Sequence, residues 1–276
     1  MSKRVGSFVE RHAFAVGALA LAGLLKYHYS HASAEGLRWI LAPTTWLTSL
    51  FVSGEFAFQA GQGYLSREQS VLISPACAGV NFLIVVLLSL VLGFSGHFSS
   101  LRQRARWCAA SLVLAYLATL LVNALRIGLS IGLSHLATRV TGLTFQSIHR
   151  LLGIFIYLAG LLSLCLTVQV WLSSRRASSR HCSLAPGNAR RSFARGRGAL
   201  LLPLGCYVAV TLLVPLLGGA ANKPEFWSHA APVSVLVVAA AALLFAARGR
   251  TWDDGRHEFR SPEPPERVAT EPGSRA

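Results

Sequence analysis

Three short stretches of the chain carry side chains able to do chemistry, each at the edge of a long apolar run. The first is Ser74-Pro75-Ala76-Cys77-Ala78-Gly79-Val80-Asn81, in which a proline and small residues introduce a helix. A thiol in that first turn meets free backbone amides and the positive end of the helix dipole, which favour the nucleophilic thiolate. The same position also suits a small residue that fills a crowded turn. Acylation of the lipoprotein kind fits less well, because the site is internal and no leucine stands three positions earlier. The second stretch is Asn123-Ala124-Leu125-Arg126, at the end of another apolar run. An arginine there is costly and usually has a partner, and Asn123 lies one turn before it on the same face. A snorkelling arginine that anchors the helix at the head groups is the plainer alternative. The third is Gln146-Ser147-Ile148-His149-Arg150-Leu151-Leu152-Gly153. His149 is a candidate acid/base, and Gly153, four residues on, lets a neighbouring helix or a substrate backbone come close. Read singly, His149 is an interfacial histidine like His28, His31 and His135. The common depth of three complementary groups argues for a site.

What is missing narrows the chemistry further. No aspartate or glutamate occurs between Glu68 and Glu225. A pair of catalytic aspartates, a His-Glu-x-x-His zinc site, a buried acid of a proton-coupled pump and a Cys-His-Asp triad all need a carboxylate in that region. The arrangement left is a thiol nucleophile at Cys77 and a general acid/base at His149. Arg126 then stands in place of the carboxylate or donates to an oxyanion. This chemistry requires no cofactor and no metal.

The elements that position these groups are membrane helices. Of 276 residues, 53% are hydrophobic and only 13% charged, with mean hydropathy +0.50, so a water-soluble surface cannot be built. Long uncharged runs recur at Ala13 to Leu25, Ala78 to Phe94, Trp107 to Leu125, Leu151 to Leu172, Ala199 to Leu217 and Ala231 to Ala247. Most approach the ~20 residues that cross a hydrocarbon core. The first is short behind a basic N-terminus, as in a signal peptide, but no small-residue cleavage site follows it, so it reads as a retained helix.

The net charge of +15 is concentrated in connections. Arg102, Arg104 and Arg106 lie in one, and Arg175, Arg176, Arg180, Arg190, Arg191, Arg195 and Arg197 in another. The positive-inside rule puts both on the cytoplasmic side, together with both termini. These basic runs fit topology and contact with the lipid bilayer, not nucleic acid. Parity then requires that Leu37 to Val52, interrupted by Pro43 and bearing Trp39 and Trp46, lie on the outer surface as an interfacial helix. Gly54 to Ile73, with β-prone pieces at Phe56 to Phe58 and Val71 to Ile73, reads as a small outer hairpin.

The expected fold is therefore all-α, a polytopic membrane protein with about six transmembrane helices and a small extracytoplasmic helix and hairpin. Its parts are a first helix (1–28), the outer helix and hairpin (29–76) and a core bearing the three motifs (77–172). An arginine-rich cytoplasmic loop (173–198), a C-terminal pair of helices (199–247) and a disordered cytoplasmic tail (248–276) follow. Cys77 is the one cysteine placed outward; Cys108, Cys165 and Cys206 fall inside apolar runs and Cys182 in the loop.

Cys-x-Gly before an apolar span, Asn-x-x-Arg at the end of the next, and His with Gly four residues on at the start of a third resemble the signature of the exosortases and archaeosortases. Leu41-Ala42-Pro43, Gly61-Gln62-Gly63-Tyr64 and the stretch from Ser74 to Phe82 look most like the exosortase K branch. The resemblance covers about Leu37 to Leu172. It implies a multi-pass cysteine peptidase or transpeptidase of the plasma (inner) membrane whose active site faces the periplasm or exterior. Cys77 would be the nucleophile, Arg126 the essential cation and His149 the proton-transfer residue, with Asn123 and Gly79 on positions of the same motifs. Ala78 departs from the serine common after the cysteine, removing any help from that hydroxyl. The partners implied are exported proteins with a C-terminal motif, a transmembrane helix and a basic end. Two other classes stay open on the residues alone: a non-enzymatic scaffold or transporter, and an acyl- or glycan-transfer component of exopolysaccharide assembly.

Overall fold

A computed structural model describes residues 2–68, 70–141, 144–178 and 201–257. The chain is predominantly helical. Helix α1 spans Ser2–His31 and α2 Arg38–Ser49; strands β1 (Ala57–Gln59), β2 (Gly63–Ser66) and β3 (Val71–Ile73) follow. Then come α3 (Val80–Phe94), α4 (Leu101–Thr141), α5 (Phe145–Ser178), α6 (Leu201–Val208), a π-helical turn at Ala209–Leu213, α7 (Val214–Leu217) and α8 (Pro224–His257).

The centre is α3, where twelve of fifteen residues are buried. It is apolar on every face, and a helix of that kind belongs inside a bundle. Helices α1, α4, α5 and α6 pack around it, and α8 lies outermost against α5 and α6. Among the described residues four segments are long and apolar enough to cross a membrane: Pro75–His97, Leu101–Leu133, Ser147–Arg175 and Phe226–Leu244. The other two expected spans are shorter. The apolar run of α1 covers only Ala13 to Leu25, about 20 Å of helix. Leu201–Leu217 is a shorter apolar stretch broken by the π turn. Pro215 explains the break: it has no N–H for the carbonyl four residues earlier, so the helix slips register just before it.

Between α1 and α3 the structure departs in detail from the expected hairpin. The segments Phe56 to Phe58 and Val71 to Ile73 do not pair with each other; the sheet is three-stranded and antiparallel in the order β1-β2-β3. The middle strand was hidden because Gly61-Gln62-Gly63 reads as turn, yet Phe58 pairs with Tyr64 and Leu65 with Leu72. The sheet is tied back by Gly61 N–H, which donates to Glu35 at 2.6 Å, and by Arg38 over the Phe58 ring at 4.7 Å. Glu35 is exposed, and bonds from the Ser33 hydroxyl and the Gly61 amide hold its carboxyl below the usual carboxylate range.

Helix α2 lies against α4, with Trp39 stacked on Tyr116 and the Tyr116 hydroxyl donating to the Trp39 carbonyl at 2.7 Å. Its far edge leaves Trp46, Leu50 and Phe51 exposed. At the opposite end of the bundle Arg104 is buried, and its Nε donates to the Phe98 carbonyl, closing the α3–α4 turn. Helix α8 runs on to His257, past the Ala247 at which the sequence ends its apolar run, so the first part of the expected tail is helical. Residues 258–276 of that tail, and 179–198 of the arginine-rich loop with Cys182, lie outside the described residues.

Candidate functional site

Cys77 closes a single 3₁₀ turn, Pro75–Cys77, that leads into α3. Its amide bonds the Ser74 carbonyl at 2.8 Å, and its thiol is free and half-buried. The next turn is made by Gly79, in the left-handed region at φ +73° and serving as the N-cap of α3. A Cβ at Gly79 would stand 3.2 Å from the Asn123 amide and from the Thr119 methyl, so the site needs glycine for both its conformation and its lack of side chain.

That close approach brings α4 onto the cysteine. Asn123 is fully buried, and its Nδ2 donates to the Cys77 carbonyl at 2.6 Å. Its Oδ1 accepts from the Tyr157 hydroxyl at 2.7 Å. Arg126, one turn along α4, donates through Nη1 to that same hydroxyl at 3.1 Å and through Nη2 to His149 Nε2 at 2.8 Å. A guanidinium only donates, so Nε2 accepts and the neutral ring carries its proton on Nδ1. The Tyr157 ring lies under the Arg126 charge at 5.1 Å and stacks on Phe82 of α3 at 4.7 Å. One continuous chain of bonds thus joins the Cys77 backbone, Asn123, Tyr157, Arg126 and His149, drawn from α4, α5 and the turn before α3.

At Gly153 it is a side chain of the neighbouring helix α4 that comes close: the Arg126 guanidinium lies beside it, with Nε 2.6 Å from where a Cβ would be. Arg126 itself does not stand at a helix end, since α4 continues to Thr141. The run of Leu101 to Leu133 remains apolar enough to carry the helix on.

A cavity of about 200 Å³ opens beside this chain of bonds. Arg126, Gly153 and Tyr157 form one wall, Ala76 and Gly79 lie at the base of α3, and Arg150 and His229 face in from α5 and α8. His149 bonds Arg126 and Cys77 is linked to it through Asn123 and Tyr157, but neither lines this space. Among the described residues no group of three or more His, Cys, Asp or Glu side chains could hold a metal ion.

Tyr157 has no part in the motifs, although its position carried a signal: 149, 153 and 157 are spaced by four and share one face of α5. Lys26 of α1 also reaches this end, donating to Asn81 Oδ1 at 2.9 Å. The other candidates are explained locally. His31 bonds the Tyr27 carbonyl at 2.9 Å, Cys165 is buried, and Cys108 and Cys206 are half-buried in the bundle. Comparison of the chain with protein-family models, with curated proteins and with solved structures returns no match.

Proposed function

We propose that the chain is a membrane-embedded cysteine peptidase or transpeptidase of the exosortase type, cleaving C-terminal sorting segments of exported proteins. The observation that carries this reading is the bonded chain from the Cys77 backbone through Asn123 and Tyr157 to Arg126 and His149. It gathers a thiol, a cation and an imidazole at one end of the bundle, and no carboxylate occurs between residues 69 and 224 to support another mechanism.

In this reading Cys77 gives its thiol proton to His149, which turns from Arg126 to take it, and Sγ attacks the carbonyl carbon of the scissile peptide. Charge developing on the carbonyl oxygen is stabilised by Arg126, a fixed cation in a site of low dielectric. As the C–N bond breaks, His149 gives its proton to the leaving amine, leaving a thioester on Cys77. Water or an acceptor nucleophile then attacks the thioester and gives a proton to His149, the C–S bond breaks, and His149 passes that proton to the departing thiolate, restoring the thiol. Asn123 is a positioning residue: it fixes the backbone that carries the thiol. The Tyr157 hydroxyl sets the guanidinium, so that thiol and imidazole are referred to one frame.

The topology that serves this chemistry has six spans, counting α1 and the Leu201–Leu217 stretch, with both termini cytoplasmic and the site at the outer face of the inner membrane. The arginines of 101–106 and 173–198 support that orientation. Helix α2 then lies on the outer surface with Trp46 and Phe51 in the lipid interface. A substrate helix diffusing in the bilayer presents the peptide bond just outside it at the depth of Cys77. The test is Cys77→Ala: insertion and folding stay intact while cleavage of a cognate sorting tail stops. Full processing by that variant removes the mechanism.

A further inference from the structure

We propose that the cavity between α3, α5, α6 and α8 is a binding pocket for the phosphate of a phospholipid head group. This assignment rests on the pocket and not on the chemistry of Cys77.

The charges come first. Arg126 and Arg150 both line the cavity, and His229 stands within electrostatic reach of the two. Lys26 adds a further cation one hydrogen bond behind the lining residue Asn81. No carboxylate is among the lining residues. Among the described residues the arginines bond neutral groups: Tyr157 and His149 for Arg126, the Ser228 hydroxyl for Arg150. Two guanidinium groups facing one space in an apolar bundle repel each other, and an anion held between them offsets that cost.

The remaining walls suit an oxyanion. Tyr29 and Tyr207 bring hydroxyl groups. The Asn81 amide is oriented by Lys26, which binds its oxygen and leaves the NH₂ end for another acceptor. Thr211 lines the cavity from the π-helical turn, the kind of irregularity that recurs where helices make sites.

The surroundings point to lipid as the source of the phosphate. The pocket lies between helices, and its outermost wall, α8, has only 11% of its apolar window buried. Leu213, Leu217 and Trp227, which flank the lining residues Thr211 and His229 in sequence, are all exposed. They offer an apolar rim along which acyl chains can lie while the head group enters. About 200 Å³ accommodates a phosphate with its glycerol ester but not the chains. Basic pockets between transmembrane helices bind lipid head groups in this way.

The experiment is native mass spectrometry of the full chain in detergent, titrated with phosphatidylglycerol or with a phosphate-free glycolipid of the same chains. The wild-type protein should retain one phosphatidylglycerol and no glycolipid. Inorganic phosphate should compete only at millimolar concentration. Arg150→Gln should weaken retention about tenfold or more, whereas Arg150→Lys, which keeps a phosphate-binding charge, should stay close to wild type. Cys77→Ala should retain lipid unchanged, so loss of cleavage in that variant and loss of lipid in Arg150→Gln report separately on the two proposals. Equal uptake of both lipids overturns the assignment. So does retention unaffected by Arg150→Gln, inorganic phosphate binding without phospholipid uptake, or displacement of the lipid by an acidic peptide at micromolar concentration.

Discussion

Gly153→Ala separates the organisation of the site from the stability of the bundle. The new Cβ would stand 2.6 Å from Arg126 Nε, whereas non-bonded carbon contacts normally open to about 3.5 Å. The guanidinium therefore has to retreat by about 0.9 Å, because a side chain turns about its own bonds at less cost than the packed backbone of α5 shifts. The 2.8 Å contact of Nη2 with His149 and the 3.1 Å contact with Tyr157 cannot both survive that shift, since hydrogen bonds fade beyond about 3.2 Å. One bond to a charged group contributes about 1.5–3 kcal/mol. If that bond orients Arg126 in the transition state, the loss is about 10- to 150-fold in rate. Folding should suffer less, because alanine is favoured over glycine inside a helix by about 0.5–1 kcal/mol. The assay is cleavage of a membrane-anchored sorting tail in vesicles, with gel filtration and thermal unfolding on the same preparations. A variant that cleaves at the wild-type rate would refute the role given to the Arg126–His149 contact. A variant that fails to fold would refute the claim that the arginine tip yields before the helix does.

Tyr157→Phe keeps the stack on Phe82 but removes the hydroxyl that joins Arg126 to Asn123; it should destabilise the chain by about 1–3 kcal/mol and slow cleavage, measured by unfolding and rate together. Gly79→Ala forces a side chain at φ +73° against Asn123, and its cost of about 1–3 kcal/mol should appear as lowered thermal stability with slowed cleavage. At the sheet, Glu35 is held below its unfolded value of about 4.3. Its tie to Gly61 is therefore fully present above that value and lost as pH falls through the lower folded one. Hydrogen exchange at the Gly61 amide should accelerate over that acidic window in the wild type and show no such step in Glu35→Gln.

Much of the helical architecture was legible because the apolar runs are long and charge-free, and α3, α4 and α5 each contain one of them. Boundaries were not legible. Helix α4 carries on past Arg126 to Thr141 because the charge is absorbed by Tyr157 and His149, neighbours that are distant in sequence. The break before Pro215 left a mark in the sequence, but its form as a π turn depends on packing. The sheet's middle strand was missed since Gly63-Tyr64-Leu65-Ser66 is too short to show alternation. At the candidate site, Asn123 and Arg126 were tied by spacing along one helix. The pairing of Arg126 with His149 and the seating of Arg126 against Gly153 belong to the contact between α4 and α5, which no local pattern encodes. Tyr157 had the right spacing, yet tyrosines in apolar helices are common enough that its hydroxyl drew no attention.

Thioester trapping at Cys77 bears most directly on the proposed chemistry. Wild-type protein isolated from cells that make its substrate, quenched in acid to preserve the intermediate, would be digested and analysed by mass spectrometry with and without neutral hydroxylamine. The mechanism predicts a hydroxylamine-labile peptide adduct on Cys77 and on no other cysteine, absent from Cys77→Ala. Substrate cleavage that proceeds with Cys77 unmodified throughout, or an adduct carried by Cys108, Cys165, Cys182 or Cys206 instead, would contradict it.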